Sequence, residues 1–267
     1  MSNAYIHGYD PAETIRLQDQ ARSLADLLHA DTRYPPGSLV LEAGCGVGAQ
    51  TLHLATNSPE AAFVSVDVSG ESILQARRSL EAAGRANVKF RQGDIFALPF
   101  APQSFDHCFV CFVLEHLARP VDALRVLRTL VKPGGTVTVV EGDHGSAYFH
   151  PDDASARAAI ACQVRLQADA GGNANVGRQL HPLLADAGFG KIRVSPRMVY
   201  ADGGRPDLAD SFTRKTFAAM VAGVRASALE KGLASEAEFD AGIRALERTA
   251  QPDGVFCYTF FKAVAVA

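Results

Sequence analysis

Residues 41–50 read LEAGCGVGAQ, so glycines at 44, 46 and 48 alternate with other residues just after an apolar run, and Glu42 stands two positions ahead of the first. Glycine adopts backbone conformations closed to other residues and lets a ligand approach the main chain. Three kinds of ligand use such turns: a dinucleotide, a phosphate, or a molecule with no phosphate. The dinucleotide motif is G-x-G-x-x-G, whereas here the spacing is G-x-G-x-G, with Ala49 and Gln50 where a third glycine would fall. A phosphate loop would continue into Gly-Lys-Ser/Thr, and this one does not. Glu42 would repel a pyrophosphate and attract a cation. Further on, Asp67 lies nineteen residues after Gly48, Asp94 follows another short run, and Glu141, Asp143 and His144 fall together in VEGDHGSAYFH. Carboxylates accept hydrogen bonds from hydroxyls and amines, and His144 is the member of the last group that changes charge near neutral pH.

Strand and helix patterns must position these residues. An amphipathic helix is expected over residues 11–29, entered through Asp10-Pro11, and Tyr34-Pro-Pro-Gly37 makes a turn. Strands are then expected at 39–43, 62–68, 88–92, 106–113 and 136–141, with helices at 49–56, 70–83 and 121–130 between them. Strands alternating with helices, and apolar nearly throughout, predict a parallel sheet covered on both faces. Ligands of such sheets lie beyond the carboxyl ends of the strands, which is where Glu42, Asp67, Asp94 and the 141–144 group fall. Beyond residue 145 the pattern predicts helices at 153–170 and 177–187, a strand at 191–200, a mostly helical stretch over 202–250 and a closing strand from Val255. Phe212, Phe217, Met220, Val221 and Val224 share one face of that stretch, which reads as a cap inserted between the last two strands. The same apolar face could serve a homodimer as readily as a pocket.

With 26 Lys+Arg against 29 Asp+Glu and a net charge of −3, the 267-residue chain lacks the basic footprint of a nucleic-acid binder. No segment approaches the roughly 18 consecutive apolar residues of a membrane span, and no basic-then-apolar leader opens the chain, so a cytoplasmic protein is expected. Five cysteines do not make a secreted disulfide framework. Cys108-Phe-Val-Cys111 matches C-x-x-C, but no second ligand pair accompanies it and the run reads as a buried strand, so two core cysteines and no metal are expected.

Five segments in order resemble the class I S-adenosylmethionine-dependent methyltransferases: LEAGCGVG (41–48), VSVDVS (64–69), GDIFALPFAPQSFD (93–106), FVLEHL (112–117) and LVKPGGTVTVVEGD (130–143). The resemblance implies a Rossmann-like α/β fold with a mostly parallel seven-stranded sheet whose last strand is antiparallel. It implies S-adenosyl-L-methionine as cofactor, S-adenosyl-L-homocysteine as product, and a small-molecule acceptor of the quinone-precursor or secondary-metabolite kind. Ala43, Gly44 and Gly46 would form the cofactor turn, with Glu42 near the methionine amine. Asp67, with Val68 beside it, would take the ribose hydroxyls. Asp94 would take the adenine amino group while Ile95 packs on the ring, and a carbonyl of Val110 or Cys111 would face the methionine part. Tyr9, in the aromatic stretch 5–9, could close over the cofactor or belong to a disordered terminus.

Methyl transfer is an in-line displacement that depends chiefly on alignment and exclusion of water, so a base is optional. The candidates are His144 and Glu141, with a structural loop or a metal cluster as competing readings of the 141–153 region. Arg178 and His181 could hold an acidic acceptor or simply begin a helix. The expected organisation is a single domain over 1–267, its core about 30–145 plus 177–200 and 254–267 and its cap from 1–29, 146–176 and 202–250. Two other functions fit part of the pattern: an NAD-dependent oxidoreductase, and a non-catalytic S-adenosylmethionine-binding regulatory protein.

Overall fold

A computed structural model describes residues 24–267; Tyr9 and most of the helix expected over 11–29 lie outside the described residues. The strands are β1 (Leu39–Ala43), β2 (Ala62–Asp67), β3 (Val88–Gln92), β4 (Phe105–Cys111), β5 (Val131–His150), β6 (Gly190–Asp202) and β7 (Val255–Val266). They form one seven-stranded sheet in the order β3-β2-β1-β4-β5-β7-β6. All pairs from β3 to β5 are parallel, and β7 runs antiparallel to both β5 and β6. The chain leaves β1 toward β2 and β3 on one side and returns to β4 and β5 on the other. The turn after β1 therefore opens at the topological switch point, where the loops of neighbouring strands diverge.

Alternation along the central strands divides the core in two. Val40, Phe63, Phe109, Cys111 and Val140 belong to one buried cluster, and Leu41, Val66, Cys108, Val110 and Val139 to the other. Cys108 and Cys111 thus point to opposite faces, and both are free thiols. The first cluster is covered by the helical turn at 24–29 (α1), by α2 (Ala49–Asn57) and by the cap; α3 (Gly70–Ala82) flanks β2 and β3. The second is covered by α4 (Pro120–Leu130) and α6 (Leu180–Asp186), through Leu124, Leu127, Leu180 and Leu184.

The cap packs α5 (Ala154–Asp169) against α10 (Glu236–Arg248), and they approach closely at Gly242, where a Cβ would lie 2.6 Å from that of Ala159. Ser235 and Glu238 form a capping box that starts α10. Before it, α7 (Pro206–Leu208) runs through a π-helical stretch, Ala209–Ala218, into α8 (Ala219–Gly223) and then α9 (Arg225–Glu230). The wider turn of the π-helix brings residues five apart to one side. Phe212 and Phe217 accordingly both meet Tyr258 of β7, with ring centroids 5.9 and 5.3 Å away.

One element departs from the sequence expectation in a way that matters for the site. The fifth strand does not stop at Glu141 but continues to His150, paired with β7 from Gly142↔Phe260 to His150↔Val255 across an irregularity between Asp143 and Tyr148. Gly142, Asp143 and Gly145 are poor strand formers, so local propensity signals a loop. A distant ladder, the first half of β7, overrides it, and residues 142–150 carry the floor of the cap rather than a solvated loop. No helix among the described residues is long and apolar enough to cross a membrane.

The end of α1 is fixed to the sheet by a buried cation. Lys262 of β7, 3% exposed, donates to the Leu28 carbonyl at 3.0 Å, to Thr32 Oγ1 at 2.6 Å and to Asp31 Oδ1 at 2.5 Å. Asp31 also accepts from Arg197 of β6. Removing the ammonium strands a buried carbonyl and hydroxyl, so Lys262→Met is expected to lower unfolding free energy by on the order of 2 kcal/mol in urea denaturation, with an unchanged slope. A loss under about 0.5 kcal/mol would mean that this network does not hold α1.

Candidate functional site

The three glycines of the first turn do different things. All have positive φ: 82° at Gly44, 51° at Gly46 and 80° at Gly48. A Cβ on Gly44 would overlap Val113, and one on Gly48 would lie 2.9 Å from that of Ala76 in α3, so these two glycines serve packing. Around Gly46 a Cβ would meet nothing within 4 Å. The middle of the turn is therefore bare main chain facing open space.

Acidic side chains stand at the ends of this strand and its neighbours. Asp67, at the end of β2, accepts the Gly46 N–H at 2.7 Å through one oxygen and the Ser69 N–H at 2.9 Å through the other. Asp94, after β3, accepts the Phe96 N–H at 2.9 Å, and the Gly93 N–H donates to the Asp67 carbonyl at 2.9 Å, linking these two strand ends. Glu42 is 2% exposed, and its Oε2 accepts from Thr51 Oγ1 at 2.8 Å and Ser65 Oγ at 2.6 Å. Burial pushes the Glu42 carboxyl up to about 7 against the pull of those two hydroxyls, and Asp67 adds to the rise. Its charge is therefore sensitive to pH around neutrality and to any charge brought near it.

Ten of the eleven residues expected to hold a cofactor therefore lie along one edge of the sheet, at the ends of β1 to β4. Ala43 is buried beneath the turn, Val68 is 58% exposed beside Asp67, and Ile95 packs against the second core cluster. Val110 and Cys111 are buried, with the Cys111 thiol pushed well up by burial and by nearby carboxyls. Tyr9 lies outside the described residues. Sequence reasoning missed Thr51 and Ser65, the hydroxyls that make burial of Glu42 tolerable. The signal was available: Ser65 interrupts an otherwise apolar inner strand, AFVSVD.

Glu141 and His144 are buried away from water. Glu141, fully enclosed, accepts the N–H groups of Val113 at 3.0 Å and Leu114 at 2.8 Å through Oε1, while Oε2 has no hydrogen-bond partner. Burial, with Glu115 nearby, drives its carboxyl well above the usual range. It holds the turn that follows β4, where Phe112 has a φ of 57° and Val113 fills the space over Gly44. His144 is 6% exposed, and its Nδ1 lies 3.0 Å from Tyr258 Oη. Asp143 is bound by Arg178 in a two-point ion pair, both contacts 2.7 Å, so Arg178 is committed there.

Residues 40–135 match the family described as a methyltransferase domain, a span that runs from β1 into the first residues of β5 and includes Glu42, Asp67 and Asp94. An uncharacterized 37.1 kDa protein in a transposon of Streptomyces fradiae is 33% identical over 207 residues, 77% of this chain and 59% of that one. An uncharacterized methyltransferase of Schizosaccharomyces pombe is 33% identical over 156 residues, 56% of each chain. The chain thus spans less than three fifths of the length of these curated relatives. Among solved structures, a Haemonchus contortus phosphoethanolamine N-methyltransferase 2 in complex with phosphomonomethylethanolamine and S-adenosylhomocysteine aligns with a TM-score of 0.59. The alignment covers 96% of this chain and 58% of that one at 16% identity, which is a likeness of fold. Residues 40–135 thus form a methyltransferase domain, and the family match together with the methyltransferase relatives supports the class I S-adenosylmethionine-dependent methyltransferase family for it.

Proposed function

We propose that this chain transfers a methyl group from S-adenosylmethionine to a small-molecule acceptor by in-line displacement. The observation that carries the reading is the turn at Gly46: partly exposed main chain, open space where a side chain would stand, and acids rather than bases on the neighbouring strand ends. A pyrophosphate would meet Glu42 and Asp67 there, whereas a ligand with an ammonium group and a diol would be complemented. That argues against the dinucleotide alternative.

Bound in this position, the cofactor supplies an electrophilic methyl on a sulfonium. The chain's own part is to hold and orient. Glu42 balances the ammonium, directly or through water. Asp67, already fixed by the Gly46 and Ser69 amides, turns its remaining lone pairs to the ribose hydroxyls. Asp94 would take the adenine amino group, with Ile95 against the ring, and a carbonyl of Val110 or Cys111 would border the methionine part. Rate enhancement then comes from alignment and from the cap excluding water. Of the two base candidates, Glu141 is engaged with backbone amides, which suits a residue that keeps the 112–116 turn in place.

Calorimetry with S-adenosylmethionine and S-adenosylhomocysteine tests the reading: saturable binding of both is expected, and absence of either would sink it. Binding without turnover over a broad acceptor panel would favour the regulatory alternative. Asp67→Ala should weaken binding by roughly tenfold to a few hundredfold. Around and below pH 7 Glu42 must lose a proton before it can balance the ligand, so affinity is expected to rise as pH increases from about 5.5 through 7 and to level off above about 8. Glu42→Gln should be weaker and flat over that range; a wild-type profile that is equally flat would remove Glu42 from the ammonium site.

The glycines give a separate check. Gly46→Ala is expected to cost stability only about 1 kcal/mol, from the positive φ, yet to lower cofactor affinity tenfold or more by filling the open space. Gly48→Ala, pressed on Ala76, should instead act mainly on thermal stability. The reverse pattern would mean that Gly46 does not face the ligand.

A further inference from the structure

The extension of β5 along β7 carries a polar pair that the cofactor reading does not use. Tyr258 is 2% exposed, and its hydroxyl lies over Gly142, where any side chain would overlap it. Glu115, Asp143 and Glu141 surround the phenol, and together with burial they keep it protonated. A buried O–H needs an acceptor. Nδ1 of His144, at 3.0 Å, is the partner that the structure gives it.

The proton inventory follows from that bond. If Tyr258 donates to Nδ1, the neutral imidazole carries its own proton on Nε2. Burial holds the ring neutral, since it disfavours the imidazolium more than Glu115, Asp143 and the Ala174 carbonyl favour it. Nε2 is itself buried and has no hydrogen-bond partner. An unpaired buried donor costs roughly 1–3 kcal/mol, which a ligand oxygen would recover.

The surroundings of that donor are aromatic. Phe217, from the π-helical stretch, lies 5.9 Å from the His144 ring, and Tyr258 lies 5.7 Å from it, edge-on. Phe260 packs on Tyr258 at 4.7 Å and on Phe112 at 5.4 Å, so the aromatic wall runs from His144 back to the turn after β4 that borders the cofactor edge. The backbone N–H of His144 is bonded to the Ala174 carbonyl at 3.0 Å, which fixes its place on the strand.

We infer that Tyr258 locks His144 as a hydrogen-bond donor, and that the methyl acceptor is a flat, largely apolar molecule presenting a carbonyl, enolate or phenolate oxygen to the His144 Nε2–H. The identification of the ligand as the methyl acceptor rests on the methyltransferase reading above. In this tautomer Nε2 has no free lone pair, so His144 orients the acceptor and does not remove its proton, contrary to the expectation of a base. Tyr258 is a positioning residue that acts through the ring.

Long-range proton–nitrogen NMR correlation on the full chain labelled with 15N-histidine reads the tautomer directly, with the His144 signals assigned by their disappearance in His144→Gln. The expected result in the resting protein is a proton on Nε2 and a bare Nδ1, with the Nδ1–H form appearing in Tyr258→Phe. A proton on Nδ1 in the wild type would overturn the inference. In the second arm, 4-nitrophenolate is titrated into protein saturated with S-adenosylhomocysteine. The Nε2–H resonance should shift on binding, and affinity should fall about tenfold or more in His144→Phe. An Nε2–H resonance that the probe leaves unmoved would overturn the acceptor assignment. The tautomer is read without cofactor, so failure of S-adenosylhomocysteine binding would sink the methyl-transfer reading alone.

Discussion

Everything at the functional edge depends on acidic side chains that hold backbone amides across strand boundaries. Asp67 of β2 grips the Gly46 N–H of the turn after β1, and Glu141 of β5 grips the Val113 and Leu114 N–H groups of the turn after β4. Val113, held in this way, fills the space that Gly44 leaves. At the opposite end of the sheet Asp106 of β4 accepts the Leu39 N–H that starts β1, at 2.8 Å. Hydrogen bonds from backbone amides to carboxyl oxygens are directional, so each turn is set by its neighbour and not by its own sequence alone. The result is a rigid rim around one open spot of main chain.

Glu42 is the exception that gives the rim its chemistry. It bonds hydroxyls rather than amides, is almost wholly buried, and stands close to its titration point near neutral pH. Such a group favours a bound cation more strongly than an exposed acid would, because the low-dielectric surroundings weaken screening. The same burial would be costly without Thr51 and Ser65, so these two hydroxyls belong to the site as much as the acid does.

Much of this was legible in the sequence because it is local. The alternation of strand and helix from residue 39 to 141 and the alignment of Glu42, Asp67 and Asp94 at strand ends follow from periodicity and turn signals, whereas the antiparallel last strand came from the family resemblance. What was not legible is non-local. The extension of β5 to His150 exists because β7, more than a hundred residues later, pairs with it. The burial of His144 and its partner Tyr258 follows from that pairing, as does the commitment of Asp143 to Arg178. Phe212 and Phe217 pointed to a common apolar face, but only the π-helical turn explains a spacing of five. The cofactor edge is therefore written in short motifs, whereas the acceptor side is written in long-range contacts.

That division suits the proposed reading, in which the cap would meet the acceptor and the sheet edge would hold the cofactor. The measurement that bears most directly on the account is a crystal structure of the chain grown with S-adenosylhomocysteine. Density for the methionine part over Gly46, with its amine toward Glu42, the ribose hydroxyls on Asp67 and the adenine beside Asp94 and Ile95, is the predicted result. Density lying elsewhere on the molecule, or an open space at Gly46 that stays empty at saturating ligand, would contradict it.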